Sequence, residues 1–386
     1  MSTATGRALE AVMDRVAVTA AEVGPRFPLY ADPADGRWTT TGRGSWTGGF
    51  WAGLLGLRAR YTGAGADRRA AAACTARLAP WTGADTATRG LILWYGTAAA
   101  DDDAEAAALR GRAARACLAD CDPGLGILPW GGALGGPRLL ARVDGVPGTV
   151  PLLAEAGPDG AAAAAAHLHR HLDLCLGRPA GADGNPPAGA ARDPARNTAF
   201  GAGDGADAWF RPALRFEAAT GGWVPCEDPT PGWSRGRAWL LLAVADALLR
   251  PAVAAHDRAR LDGAAALLLG RGGMLTGPSV PPADTARPDG PLDTSAAAVT
   301  AVALLKLARI PGPRAGQYAL RAAEILDHLI GRHLTGGGED RPSGMLLDGC
   351  YDATRSSALR HELVWGDYFL ALGLAALHGA ADLTRV

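Results

Sequence analysis

The sequence predicts an all-α fold, an (α/α)6 barrel in which six inner helices are surrounded by six outer helices. Helical periodicity runs through the 386 residues, and no alternating strands rich in Val or Ile stand out. Two kinds of helix alternate along the chain, one apolar on nearly every side and one with a charged face. Because a helix without a polar face must be covered on all sides, the apolar kind is predicted to form the inner ring.

The helix boundaries follow from Gly, Pro and polar residues that separate runs of Ala and Leu. Helices are predicted over residues 4–23, 46–62, 65–79, 87–100, 103–119, 146–156, 159–176, 234–249, 252–269, 293–309, 315–333 and 363–378. The apolar stretches are 48–57, 90–99, 238–249, 296–307 and 368–377. In contrast, 104–118 and 314–332 have the charged face that an outer helix needs.

Two segments interrupt the helical pattern. Residues 177–231 are rich in Gly, Ala, Pro and Asp, and within them 209–217 reads as a short strand followed by an Ala-Thr-Gly-Gly turn. We therefore expect a small hairpin lid over the barrel mouth, because a loop of this length is uncommon unless it has a function. Residues 272–292 form a second excursion, and the whole chain, 1–386, is expected to be one domain.

Composition and charge exclude several classes of function. The formal net charge is -1, Lys306 is the only lysine, and no basic stripe alternates with aromatic residues, so nucleic acid is not an expected partner. Charged residues interrupt the N-terminal segment and no uncharged apolar run of about 18 residues occurs, so we expect neither a signal peptide nor a membrane span. The six cysteines form no CxxC pair, which fits a reducing compartment and a cytoplasmic protein.

The starts of the inner helices are predicted to meet at one end of the barrel and to form a single pocket. Aromatic faces there would cover the apolar faces of a sugar, and arginines would bind a carboxylate, so we expect a small saccharide or a sugar-containing molecule as ligand. Each residue taken alone is more typical of a core position or a helix cap. The candidates are Trp46, Phe50, Trp51, Asp85, Thr88, Arg89, Asp144, Trp233, Arg235, Arg237, Trp239, Asp293, Thr294, Ser295, Trp365, Asp367 and Tyr368.

Asp144 is the candidate catalytic residue. It follows a Gly- and Pro-rich approach and precedes an apolar run, which predicts the start of a helix. A carboxylate in that place is commonly an N-cap, and this interpretation stays open. The functional interpretation is favoured by Gly145, Pro147 and Gly148, which suit backbone that lines a pocket, and by the other polar helix starts that a ring would bring together.

We expect no metal and no organic cofactor. His167, His169 and His171 alternate along one helix and are predicted to point in different directions, whereas His361 lies near the last inner helix. The glycine clusters at 131–136 and 336–338 lack the strand–turn–helix context of a phosphate or dinucleotide loop, and no nucleophile elbow occurs.

Five segments resemble landmarks of the unsaturated glucuronyl hydrolases and the unsaturated rhamnogalacturonyl hydrolases, and they occur in the same order. They are Trp46-Thr-Gly-Gly-Phe-Trp-Ala-Gly, Val143-Asp-Gly-Val-Pro-Gly-Thr-Val-Pro-Leu-Leu, Gly232-Trp-Ser-Arg-Gly-Arg-Ala-Trp, Asp293-Thr-Ser-Ala-Ala-Ala and Trp365-Gly-Asp-Tyr-Phe. The resemblance implies an (α/α)6 barrel without a metal or an organic cofactor. It also implies an enzyme that hydrates the vinyl ether of a 4,5-unsaturated uronic acid, after which the hemiketal opens and releases the partner sugar.

The resemblance also implies roles for particular residues. Asp144 aligns with the family's general acid/base, while Trp233, Arg235 and Trp239 align with residues that wall the sugar site. In this reaction a carboxyl protonates carbon 4, positive charge develops at carbon 5, and water captures it; positioned proton transfer is worth about 10²–10⁴-fold in rate. A carboxyl that acts as an acid near neutral pH needs a raised pKa, from burial or a like-charged neighbour. The other predicted substrate-binding residues are Trp46, Phe50, Arg89, Arg211, Arg237, Trp365 and Asp367.

The chain departs from the family pattern at three places. Thr88 stands where the family usually has its second essential carboxylate, and Asp85, three residues earlier, is a candidate substitute. Pro212, next to Arg211, stands for a substrate-contacting His, and Arg237 replaces the commoner Gln. These changes leave two other interpretations open. One is a recruited member that acts as a hydratase, cyclase or lyase on a natural-product intermediate, and the other is a non-catalytic sugar-binding toroid.

Overall fold

A computed structural model of the protein describes residues 3–100, 103–176, 209–336 and 341–386. Its helices are α1 Thr3–Val23, α2 Gly48–Thr62, α3 Gly65–Ala76, α4 Tyr95–Ala98, α5 Ala104–Asp120, α6 Thr149–Ala154, α7 Pro158–Cys175, α8 Ser234–Leu248, α9 Pro251–Ala254, α10 Arg258–Arg271, α11 Thr294–Ala308, α12 Ala315–Arg332 and α13 Val364–Leu377. The strands are β1 Phe27–Ala31, β2 Trp38–Thr41, β3 Leu140–Arg142, β4 Ala213–Glu217, β5 Gly222–Pro225 and β6 Glu362–Leu363.

The inner helices form a closed ring. Helix α2 contacts the segment 90–98, which is followed in turn by α6, α8, α11 and α13, and α13 returns to α2. Helices α1, α3, α5, α7, α10 and α12 pack outside this ring. Every residue of α8 is buried, whereas α12 buries only one face, through positions such as Ala322, Ile325 and Leu329. The predicted (α/α)6 barrel is therefore confirmed, and so is the assignment of apolar helices to the inside.

Two predicted helices differ from the observed ones. The predicted helix 87–100 begins with a π-helical turn, Gly90–Trp94, before α4. The predicted helix 252–269 is divided between α9 and α10, because Asp257 leaves the helix and accepts a hydrogen bond from the amide of Arg260 as a new cap.

Backbones approach closely between the first inner helices. A Cβ atom on Gly49 would lie 2.2 Å from the carbonyl oxygen of Ile92, and one on Gly90 would lie 2.1 Å from the amide nitrogen of Thr149. Only glycine fits either position, since a side chain there would displace the neighbouring main chain. These contacts bring the 90–98 segment against both of its neighbours and help to close the ring.

An aromatic cluster fills the centre of the ring. Phe50 lies between Tyr95 and Trp239, with ring centroids 5.2 Å and 6.1 Å away, and Phe369 packs beside it at 5.6 Å. Tyr368 completes the cluster. All five side chains are buried, and we call this cluster of rings at the centre of the barrel the aromatic floor.

Two small sheets lie against the barrel. The predicted hairpin is present as β4 and β5, and β3 adds a third strand, which was not predicted, in the order β3-β4-β5. The second sheet, in the order β2-β1-β6, was also not predicted. Its strands are two to five residues long, which is too short to show a clear alternation in the sequence. The part of the lid at 177–208 lies outside the described residues.

None of the described helices has both the length and the apolar character that crossing a membrane requires.

Candidate functional site

Asp144 lies at the mouth of the barrel, in a short helical turn, Val143–Gly145, between β3 and α6. Its side chain is 18% exposed, and its carboxylate accepts hydrogen bonds from Nε of Arg142 at 2.8 Å and 3.1 Å. Gly148 is the residue that caps α6, and no backbone amide of the described chain donates to the Asp144 carboxylate. The carboxylate is thus paired with a side chain at the edge of solvent, which is not the geometry of an N-cap.

Arg142 is held between two indoles. Its guanidinium carbon lies 5.3 Å from the ring centre of Trp130 and 5.5 Å from that of Trp233. Cation–π contacts of this kind favour a charged guanidinium and restrict its rotation. Arg142 ends β3 and Asp144 follows two positions later, so the strand brings both side chains to the mouth together.

The pattern of alternating indoles and guanidiniums continues around the mouth. Arg235 lies 5.5 Å from the ring of Trp233 on one side and 5.3 Å from that of Trp365 on the other. Trp46 then contacts Trp365, with centroids 4.8 Å apart. We call this set the mouth arc; its members are Trp130, Arg142, Trp233, Arg235, Trp365 and Trp46. The starts of α2, α8 and α13 contribute Trp46, Trp233 with Arg235, and Trp365, while a loop and the end of β3 contribute Trp130 and Arg142.

The terminal nitrogens of Arg235 donate hydrogen bonds to acceptors of the protein itself. Its Nη1 donates to Asp293 Oδ2 at 2.6 Å and to the carbonyl of Cys350, and its Nη2 donates to the carbonyl of Tyr351 at 2.8 Å. The Arg235 side chain is 6% exposed. Asp293 in turn caps α11 by accepting from the amide of Ser295 at 3.1 Å. This arginine therefore joins the starts of two inner helices to a loop.

A buried histidine positions the turn that carries Asp144. The amide of Leu128 donates to Nδ1 of His167 at 3.0 Å, which leaves the Nε2 proton facing the carbonyl of Gly145 at 3.4 Å. Burial and the adjacent His171 lower the pKa of His167 well below its usual value. Burial also lowers the pKa of His171 to about 4. Both imidazoles are therefore neutral near pH 7, and His167 acts as a support behind the carboxylate.

The two candidates for a second catalytic group hydrogen-bond elsewhere. The exposed carboxylate of Asp85 accepts from the amide of Gly132 at 3.0 Å and from Nε of Arg138 at 3.2 Å. The buried Thr88 hydroxyl lies 2.9 Å from the hydroxyl of Thr86. Neither group shares a hydrogen bond with Asp144 among the residues that the structure describes.

Several other predicted site residues are buried. Phe50 and Trp239 belong to the aromatic floor, at 0% and 1% exposure. Arg89 is buried and pairs with Asp120 at 2.8 Å. Each of these side chains therefore contributes to packing in this structure.

The remaining predicted residues are placed by different elements. Arg237 is buried, with its guanidinium over the ring of Trp209 at 5.1 Å. The main-chain amide of Arg211 donates to the carbonyl of Cys175. Asp367 lines a cavity of about 10 Å³ together with Arg15 and other residues of the barrel wall. Of the predicted set, the mouth brings together Asp144, Trp46, Trp233, Arg235 and Trp365.

Sequence reasoning missed Trp130, Arg142 and Tyr351. Arg142 stands two residues before Asp144, and this closeness in the sequence was the available signal. Trp130 precedes the glycine pair 131–132, where an aromatic residue at a loop edge was the only indication. Tyr351, whose ring lies 5.6 Å from that of Trp365, had no local signal.

Within the described ranges, no three His, Cys, Asp or Glu side chains converge in a way that could hold a metal ion. All six cysteines are free thiols.

Solved structures with this architecture identify the fold. The unsaturated glucuronyl hydrolase from Bacillus sp. GL1, responsible for the degradation of glycosaminoglycan, matches with a TM-score of 0.75 at 20% identity, over 97% of this chain and 96% of that one. An unsaturated glucuronyl hydrolase specific for heparin matches with a TM-score of 0.75 at 18% identity, over 98% of this chain and 99% of that one. This chain has the fold of the unsaturated glucuronyl hydrolases. The expected barrel agrees with the fold of these hydrolases over nearly the whole length.

Two further structures of these hydrolases contain saccharides. One holds dGlcA-Glc-Rha-Glc and matches with a TM-score of 0.76 at 21% identity, over 96% of each chain. The other, from Streptococcus agalactiae, is complexed with dGlcA-GalNAc6S and matches with a TM-score of 0.67 at 17% identity, over 98% of this chain and 93% of that one. No protein-family model and no curated protein matches the sequence.

Proposed function

We propose that the protein is a hydrolase of the unsaturated-uronide type, with Asp144 as the general acid/base. The observation that carries the proposal is that the Asp144 carboxylate lies in the turn before an inner helix, is partly exposed, and is paired with Arg142, whose guanidinium lies near two indoles. The fold shared with the unsaturated glucuronyl hydrolases supports the same reaction class. The ligand is a small saccharide that ends in a 4,5-unsaturated uronic acid.

The chemistry needs one proton donor that afterwards accepts a proton. The Asp144 carboxyl gives its proton to carbon 4 of the vinyl ether, which leaves oxocarbenium character at carbon 5. A water oxygen bonds to carbon 5 and loses a proton to the Asp144 carboxylate, which restores the acid. The hemiketal at carbon 5 then opens, and the partner sugar is released without any cofactor.

The mouth arc supplies the binding surfaces. Trp233 and Trp46 are only partly buried, so the exposed part of each ring can contact the apolar side of a sugar. Trp365 and Arg235 lie behind them and hold the rim in shape.

In our proposal Asp144 acts without a second carboxylate. Ala87, beside Thr88, packs against the turn of Asp144, since a Cβ on Gly145 would lie 3.0 Å from the Cβ of Ala87. Asp85 holds the loop that follows Trp130 by accepting from Gly132. We therefore assign both proton transfers to Asp144 alone, and Asp85 is a positioning residue that holds the loop after Trp130.

The test is the loss of vinyl-ether ultraviolet absorbance with unsaturated disaccharides from chondroitin, heparin and rhamnogalacturonan. The wild-type protein should turn over at least one of them, and Asp144→Asn should lower kcat by about 10²–10⁴-fold. Asp159→Asn, an exposed change on the outer helix α7, is the matched control. Equal activity of Asp144→Asn and wild type would remove Asp144 from the reaction.

Two other outcomes separate the remaining interpretations. If Asp85→Asn lowers kcat as strongly as Asp144→Asn, then Asp85 supplies the second carboxylate. If calorimetry detects binding of these disaccharides without any turnover, the protein is a sugar-binding toroid or acts on a different intermediate.

A further inference from the structure

The two arginines of the mouth arc differ in the donors they have left. The terminal nitrogens of Arg235 both donate to protein acceptors, and its side chain is 6% exposed. Arg142 uses Nε for Asp144, its Nη1 and Nη2 donate to no acceptor among the described residues, and its side chain is 27% exposed. Arg142 is therefore the more exposed arginine of the arc, and the one whose two terminal nitrogens have no acceptor among the described residues.

The Arg142 guanidinium is also fixed in orientation. The ring centres of Trp130 and Trp233 lie 5.3 Å and 5.5 Å from its guanidinium carbon, and the Asp144 carboxylate accepts from its Nε. A guanidinium held in this way loses little freedom when its remaining edge binds an anion, and a carboxylate matches that edge with two parallel hydrogen bonds. The site is thus already formed before a ligand arrives.

We propose that Arg142 is the receptor for the carboxylate of the substrate, which it binds through Nη1 and Nη2 while Nε stays on Asp144. The inference rests on the proposed function for its ligand class, a uronic acid. It assigns the carboxylate to Arg142 and not to Arg235, whose Nη1 and Nη2 both donate to acceptors within the protein.

The chemistry of the substrate supports this placement. In a 4,5-unsaturated uronic acid the carboxylate is attached to carbon 5, and carbon 5 is bonded to carbon 4, the atom that takes the proton. The Arg142 guanidinium would bind the substrate carboxylate through Nη1 and Nη2 and Asp144 through Nε. This arrangement therefore brings carbon 4 close to the Asp144 carboxyl. Arg142 would thus determine both the specificity for acidic sugars and the alignment of the reacting carbon.

The experiment measures binding and needs no turnover. Methyl β-D-glucuronide and its neutral carboxamide are titrated into the full chain, with calorimetry or tryptophan fluorescence as the readout. The wild type should prefer the carboxylate by about 10–100-fold in Kd, the range expected for charge-assisted hydrogen bonds. Arg142→Gln should abolish this preference, because it weakens the binding of the carboxylate ligand and not that of the carboxamide. Arg142→Lys keeps the positive charge but cannot form two parallel hydrogen bonds, so it should give an intermediate preference.

Arg110→Gln is the matched control. Arg110 is also half-buried, lies 5.7 Å from the ring centre of Trp94 and faces Glu155 at 3.6 Å, but it belongs to the outer helix α5. It should retain the wild-type preference, and thermal unfolding shows whether each variant is folded. The proposal is overturned if the wild type shows no preference for the carboxylate, or if folded Arg142→Gln retains it.

The outcomes distinguish this inference from the proposed reaction. A carboxylate preference that depends on Arg142, without turnover of any unsaturated uronide, supports the receptor and rejects the reaction. If the protein turns over an unsaturated uronide and Arg142→Gln does not change the KM, the proposed reaction is supported and the role of Arg142 as carboxylate receptor is rejected.

Discussion

The guanidinium of Arg235 lies 2.6 Å from the carboxylate of Asp293, and both side chains are buried at the mouth of the barrel. The pair joins the first turn of α8 to the start of α11, two neighbouring inner helices. Asp293 also accepts from the amide and the hydroxyl of Ser295, so one carboxylate satisfies a cation and a helix end together. Removal of the Asp293 carboxylate would leave the buried Arg235 guanidinium without its counter-charge.

Asp293→Ala should therefore lower the free energy of unfolding by about 3–5 kcal/mol, the range for removing one partner of a buried ion pair. Urea denaturation measures the change. The control is Asp262→Ala, which removes the exposed partner of Arg258 on α10 and should cost no more than about 1 kcal/mol. Similar losses in the two variants would contradict a special role for the buried pair.

The raised pKa of Asp367 predicts that the free energy of unfolding depends on pH. Burial, and next the charge of Glu362, raise the pKa of Asp367 well above its usual value. Because the folded chain then holds this proton more tightly than the unfolded chain, the stabilisation is complete below the unfolded pKa of about 4 and is lost as the pH rises toward the folded pKa. The free energy of unfolding should fall by up to about 1.4 kcal/mol per pH unit in that range.

The Asp367→Asn variant, which cannot ionise, should show a smaller decline when urea denaturation is repeated at several pH values above 4. Asp14→Asn, an exposed change on α1 next to Arg15, should keep the wild-type slope. The hypothesis fails if Asp367→Asn and the wild type decline in parallel.

Lys306 and Asp246 form a completely buried ion pair near the opposite end of the inner helices, with Nζ and Oδ1 2.5 Å apart. Burial lowers the pKa of Lys306, while the charge of Asp246 opposes that effect. Lys306→Met should cost about 3–5 kcal/mol, because it leaves the Asp246 carboxylate with only Arg250 at 3.4 Å.

The double change Lys306→Met with Asp246→Leu should recover part of this loss, because no buried carboxylate is then left without its amine. Chemical denaturation of the two variants and the wild type provides the comparison. A double variant less stable than Lys306→Met would show that the carboxylate is stabilised by other groups.

The thiols should react in a definite order. Burial raises the pKa of Cys74 and of Cys117 to about 12, so neither is an effective nucleophile near pH 7. Cys121 and Cys226, the latter at the end of the hairpin, are only partly buried; burial raises the pKa of both, that of Cys121 to about 11. A thiol-specific disulfide reagent should label Cys226 first and the buried thiols only after unfolding, and Cys226→Ser should remove the fast phase. A fast phase that persists in Cys226→Ser would assign it to another cysteine.

Much of the fold could be predicted from local patterns. The alternation of apolar and charged helices gave the two rings, and α11 is an example, since it is buried at nearly every position, as its composition indicates. The short strands could not be predicted in this way, because β6 has two residues and exists only through pairing with β1. The mouth was predicted as a meeting of helix starts, and Asp144, Trp233 and Trp365 do meet there.

The sequence by itself determined that apolar helices must lie inside charged ones, and that their polar starts must therefore share one rim. Only the tertiary structure decided which arginine of that rim keeps nitrogens for a ligand. The Nη1 of Arg235 donates to Asp293 and Cys350, which are 58 and 115 positions away in the sequence. Arg142 instead donates through Nε to Asp144, and its terminal nitrogens donate to no acceptor among the described residues. Periodicity reports whether a side chain is buried, but hydrogen-bond partners come from distant segments that meet only when the ring closes.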